Sequence, residues 1–452
     1  MNKHAQRISV LFAAGMIVTA FALNAQAPPA LPELASKRLL NDLQIIVARM
    51  PQPAEEMTIG WLLRYGAAFD PAGKSGLAWV ASQMLGRATL DRSAKNIRDE
   101  LDLLQARLEV QCDWDRIAIL LHTRGAWFER ALLLLYQIVG EAVFLQEDLD
   151  RVKAERLSRL GEPEDPRQAV RSSFERELFS GTTYGRPMRG TAETMGNIAL
   201  GDLRNFYDRF FSPNEAALVI VGSMQAEAIL PKATRIWGVW VRKEPVPFTF
   251  LPPRPPVSRR AILEDDPQSP AAQFILGSIW PRRGETVDYA ARIAARVLEE
   301  RLTRALPTSL LTVGTEGRRM NGPFYVQGQA AAERAVEEIQ KILETIDALK
   351  ASGCTQQELE AAQTRWIEEF YAGLGSSEGV CRALMDAELY RLGTNYLAVF
   401  DDVVRRTDLD AVKQAAKEWL LRDGMLLLVR GPAASLREGL ASMGVSLRES
   451  AP

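Results

Sequence analysis

The chain has 452 residues, 47% hydrophobic and 25% charged, with a formal net charge of -2, an ordinary globular balance with length for two or three domains. A near-neutral chain without single-sign charge blocks excludes nucleic acid as an expected partner. Three cysteines without a C-x-x-C spacing exclude a disulfide scaffold. One bridge, Cys354 to Cys381, and three packed thiols with Cys112 stay open as alternatives, packed thiols being the simpler.

In chain order, Lys3 and Arg7 precede an uncharged run from Ile8 to Leu23, followed by an A-x-A at Ala25 and Ala27. This pattern predicts a secretory signal peptide over 1–27, export to the periplasm or cell envelope, and a soluble mature protein. Cleavage falls after Ala27 or, because Pro28 follows it, after Ala25. Strand-like runs come next at Leu43–Met50 and Thr58–Gly66, then long helical patterns, and the first half closes on the apolar run Glu215–Met224. The stretch Val241–Arg260 packs six prolines and reads as a linker, because proline removes backbone donors and stiffens the chain.

The second half repeats the outline. A strand-like Ala272–Trp280 precedes a helical Val287–Leu302, a strand-like run from Gly322, helices from Ala331, and a closing run Gly424–Pro432. The expected fold class is α+β: two tandem homologous α/β sandwich domains, each a mostly antiparallel sheet with helices packed on one face. Two unrelated α+β domains in tandem would give the same outline. The boundaries drawn are a first domain at 28–240, the Pro-rich linker at 241–262, a companion domain at 263–440 and a tail at 441–452.

The stretch "SGLAWVASQMLGRAT", Ser75–Thr89, carries Leu77, Val80, Ala81, Met84 and Leu85 at helical spacing behind the turn Asp70-Pro71-Ala72-Gly73, which places Trp79, Ser82 and Gln83 on one helix. With its flank it resembles the insulinase and pitrilysin family of zinc peptidases, whose common stretch runs G-x-x-x-(D/E)-x-x-x-x-x-G-x-A-H-F-x-E-H-M-x-x-x-G-T. Gly66, Gly76, Ala78, Met84 and Thr89 stand where that frame has them. "LNDLQIIVARMP" is similar to the family's opening strand, and "YGRPMRGTAETMGNIALGDLRNFYDRFFSPNEAALVIVG" to the end of its first domain.

The resemblance implies a zinc site of two His one helical turn apart, a Glu between them as the base, and a Glu on a later helix as third ligand. Here the two His positions are Trp79 and Gln83, the base position is Ser82, and the best match to the distal ligand is Glu155, a vestige whose simpler reading is a solvated helix carboxylate. Indole only donates, an amide is a poor zinc ligand, and a hydroxyl is no base at neutral pH. His4 lies in the leader, so His122 is left alone and reads as structural. Ser82 and Cys381 lack the surroundings of a nucleophile. The companion domain's substrate-contacting Arg and Tyr have only weak substitutes, Arg304 and Tyr325.

The expectation is an exported, non-catalytic homologue, a peptide-binding or scaffold subunit that pairs with an active homologue in the clamshell the family implies, or with itself. No metal is expected here, zinc belonging to the active partner. A structural subunit without a peptide role and an active metalloendopeptidase with an unrecognised site are the alternatives.

Overall fold

The computed structural model describes residues 30–51, 56–162, 164–420 and 424–450. The expected leader over 1–27 and its cleavage point lie outside the described residues, among which no helix is long and apolar enough to cross a membrane.

Each half builds one six-stranded mixed sheet. The first contains β1 (Glu33–Arg38), β2 (Gln44–Arg49), β3 (Glu56–Leu63), β4 (Arg107–Cys112), β5 (Ile117–Arg124) and β6 (Ala216–Gly222), in the order β1-β2-β6-β3-β5-β4. The second contains β7 (Arg260–Asp265), β8 (Ala271–Trp280), β9 (Thr312–Thr315), β10 (Gly322–Ala331), β11 (Leu426–Gly431) and β12 (Ser446–Ser450), in the order β12-β7-β11-β8-β10-β9. The run β2-β6-β3-β5-β4 recurs as β7-β11-β8-β10-β9, with one parallel pair followed by antiparallel pairs in both. The two sheets differ at one edge, where β1 runs antiparallel to β2 but β12 runs parallel to β7.

Each domain's own helices cover one face of its sheet. In the first domain Ile45, Val47, Ile59, Trp61, Ile119 and Leu218 point into that core; alternate residues Ile46, Leu62, Leu120 and Val219 point the other way and are equally buried. The second face is covered by the companion domain's helix Ser377–Tyr390, which packs on β3 and β6 through Val380, Cys381, Leu384 and Met385. Reciprocally, the first domain's helix Pro166–Leu178 lays Val170, Phe174 and Leu178 on Ile262, Ile275, Leu426 and Leu428 of the second sheet. The domains therefore exchange one helix each. Arg64 with Glu388 at 2.9 Å, Arg318 with Glu175 at 2.8 Å, and Arg116 with Asp386 tie the margins of the exchange.

The stretch assigned to the linker is pinned rather than loose: the Val246 amide donates to Tyr65 Oη at 2.8 Å, and Phe250 lies 4.9 Å from the Phe69 ring. Its last residues already belong to β7, and the stretch set apart as a tail supplies β12. Cys112, Cys354 and Cys381 are free thiols.

Gly60 on β3 admits the exchanged helix, since a Cβ there would stand 2.4 Å from Cys381 Sγ and 2.6 Å from Met385 Sδ. Gly60→Ala is expected to cost about 1–3 kcal/mol by overpacking. Cys381→Ala in the same chain should restore part of it, read as non-additivity in urea denaturation. Gly196→Ala, at an open helical position, serves as the control and is expected to leave stability unchanged or raise it by up to about 1 kcal/mol.

Candidate functional site

Asp70 shapes the helix Leu77–Met84 that the sequence singles out. Its carboxylate accepts from the backbone N–H of Gly76 at 2.7 Å and of Ala78 at 2.8 Å, donors that a helix start leaves without partners. Gly76, just before the helix, has φ of 95°, and a Cβ there would stand 2.8 Å from the Gly190 nitrogen, so only glycine serves. Burial pushes the Asp70 carboxyl up to about 7, against the hydrogen bonds from Ala78, Gly76 and Leu77.

On this helix Ser82 is buried, while Trp79 and Gln83 are half-buried, Trp79 packing at the margin of the core. Ser82 Oγ donates to the Trp79 carbonyl at 2.7 Å, and Gln83 Nε2 donates to Ser82 Oγ at 3.3 Å. Arg87 Nε donates to the Gln83 carbonyl at 3.3 Å, and its Nη2 lies 3.4 Å from Glu155 Oε2 on the helix Gln146–Leu160. Trp79, Ser82, Gln83, Arg87 and Glu155 are thus linked in one chain of polar contacts. Zinc does not fit this set. The hydroxyl is committed to a carbonyl and the indole and amide are not ligands for it, which leaves Glu155 as a single carboxylate, too few donors to hold the ion.

The other singled-out residues have different employment. Tyr325 accepts a hydrogen bond from Arg171, whose guanidinium lies 4.4 Å over its ring, so it holds the exchanged helix in place. Arg304 pairs with Glu300 at 2.8 Å on its own helix. Burial raises the Cys381 thiol far above the range in which it would ionise. His122, 4% exposed on β5, is not isolated: Glu109 from β4 and Glu378 from the companion domain converge on it. Spacing along the chain gives no signal for that grouping, because the sheet register and the helix exchange create it.

Two mixed sheets and a repeated strand order define a two-domain α+β protein. Residues 45–192 match the family described as Insulinase (Peptidase family M16), and residues 197–365 match the Peptidase M16 inactive domain. The chain belongs to the insulinase family. It is similar to the non-peptidase homolog YmxG of Helicobacter pylori, 24% identical over 43% of this chain and 46% of that protein. It is also similar to an uncharacterized zinc protease of Rickettsia bellii, 22% identical over 47% of this chain and 52% of that one. The chain thus spans about half the length of these curated relatives.

Among solved structures, the peptidase M16 inactive domain from Pseudomonas fluorescens superposes with a TM-score of 0.80 at 19% identity, covering 88% of this chain and 98% of that one. The Escherichia coli periplasmic protease PqqL superposes with a TM-score of 0.76 at 13% identity, covering 94% of this chain and 49% of that one. At such identities the likeness is one of fold.

The Asp70 carboxyl makes a pH prediction. Its folded value lies above its unfolded one, so the folded state holds a proton that the unfolded state has lost between about pH 4 and 7, and stability falls as pH rises through that window. Asp70→Asn does not titrate, so relative to the parent it should gain on the order of 3–4 kcal/mol between pH 4 and 8. Urea denaturation of both proteins across that range gives the difference, and parallel profiles would contradict the assignment.

Proposed function

We propose that the chain is an exported, non-catalytic member of the family, a peptide-binding or scaffold subunit that pairs with a catalytically intact homologue. The observation that supports this reading is that Trp79, Ser82 and Gln83, at the positions where the resemblance would put the metal ligands and the base, are side chains that do not hold zinc, and that they lie in a run of polar contacts leading through Arg87 to Glu155. The retained frame has a different use, since Asp70 and Gly76 hold the helix start and its packing whether or not a metal follows. The likeness to a protein named a non-peptidase homolog supports the same reading. In this reading zinc belongs to the partner.

Peptide has a route that needs no metal. The outer edge of β4 is the end of the first sheet, and the loop after the helix Leu77–Met84 lies against it, with Leu108 Cδ2 3.5 Å from a Cβ placed on Gly86. An extended peptide added to that edge would gain main-chain hydrogen bonds.

Two measurements test the proposal. The purified chain should leave unfolded-protein and peptide substrates intact, with or without chelator; chelator-sensitive turnover would overturn the non-catalytic part. Mixed at micromolar concentration with a homologue from the same cell envelope that carries H-x-x-E-H, it should elute as one heterodimer in sizing chromatography. Separate elution, or a homodimer in place of the mixed pair, would overturn the pairing.

A further inference from the structure

The seam between the first sheet and the exchanged helix holds a histidine and two carboxylates that the family frame does not use. On β5, His122 stands directly opposite Arg107 of β4 and opposite Thr58 of β3, on the face turned toward the companion domain. Two residues along β4 from Arg107 is Glu109, and Glu378 enters from the first turn of the helix Ser377–Tyr390. One ligand atom from each of Glu109, His122 and Glu378 falls within 4.8 Å of the other two.

The imidazole is the informative member. His122 is 4% exposed, yet its Nε2 has no hydrogen-bond partner among the described residues. The nearest carboxylate atom, Glu378 Oε2, is 3.6 Å away, too far for a hydrogen bond. Nδ1 lies 3.3 Å from Thr58 Oγ1, which lies 2.9 Å from Ser377 Oγ. With Nδ1–H donating along this relay, Nε2 carries the lone pair, 3.6 Å from Glu378 Oε2, the tautomer a metal-binding histidine uses with its other nitrogen oriented by a second group.

We propose that Glu109, His122 and Glu378 form a site for a single borderline divalent transition-metal ion, Zn²⁺ by its ligand set, which fastens the companion domain's helix to the first sheet. One imidazole nitrogen and two carboxylate oxygens leave a fourth position for water, a coordination zinc accepts. Magnesium and calcium favour shells made of oxygen, which this site does not supply. Two guanidiniums hold the carboxylates in the ion's stead. Arg382 Nη2 lies 2.8 Å from Glu378 Oε1 and 3.1 Å from Glu109 Oε2; Arg107 lies 3.3 Å from Glu378 Oε2 and 3.6 Å from Glu109 Oε2. The side chains of Arg107 and Arg382 are 62% and 36% exposed, so both can swing into water, and ion pairs this exposed are weak competitors. The site departs from the expectation of a chain without metal, and it is separate from the helix Leu77–Met84.

The test uses the full chain stripped with chelator and then dialysed against micromolar Zn²⁺, with bound metal counted by elemental analysis. One zinc per chain is expected, undisturbed by excess Mg²⁺, together with a rise in Tm. Glu109→Gln and Glu378→Gln, both at partly exposed positions that should fold, are each expected to weaken uptake about 10-fold or more and to abolish the rise in Tm. Absence of saturable uptake by the parent, or uptake undiminished in both variants, would overturn the site. Neither result depends on whether the chain pairs with a homologue.

Discussion

Both faces of each sheet are apolar, and that constraint organises the molecule. A domain with helices on one side leaves a second apolar face, and burying each Val, Leu or Met there is worth about 1.5–3 kcal/mol. The chain meets the constraint by exchange: Ser377–Tyr390 covers the first sheet and Pro166–Leu178 covers the second. The salt links at the margins, the glycine at position 60 and the burial of Tyr325 are consequences of two sheets each borrowing a helix.

The same exchange decides what the seam can do chemically. It delivers the start of a helix from one domain onto strands of the other, so that Ser377 meets Thr58 and Glu378 meets His122. The helix Leu77–Met84 lies within the first domain instead, its start tied to Asp70 and its polar side chains tied to one another. A family frame therefore persists where it serves folding, while a histidine and two carboxylates come together elsewhere, at the seam.

Much of the fold was legible in the sequence. β2, β3, β6, β8, β10 and β11 fall within a residue or three of the runs at Leu43, Thr58, Glu215, Ala272, Gly322 and Gly424, because strands buried on both faces, β6 and β11 above all, carry little but apolar and small residues. β4 and β5 were hidden within stretches that also suit a helix, since a short apolar run such as Ile117–Leu121 carries no period to separate the two. β12 is short, polar and parallel, and nothing local marks it as a strand. At the candidate site the helical spacing set Trp79, Ser82 and Gln83 on one helix, as the structure has them, whereas the contacts of Arg87 with Gln83 and Glu155 have no signal in the sequence. The grouping of Glu109, His122 and Glu378 lay beyond reach, because its members meet only through register and exchange.

The helix exchange also bears on how the chain is made. A ribosome releases the first sheet complete once β6 has emerged, but the helix that covers its second face ends at Tyr390, after most of the companion domain. For that interval the nascent protein carries a sheet with one wet apolar face, a surface of the kind that holdase chaperones bind and that aggregates when left unattended. The first domain is thus committed to waiting for the second, and truncation before Ser377 would yield a fragment that stays sticky however well its own helices pack.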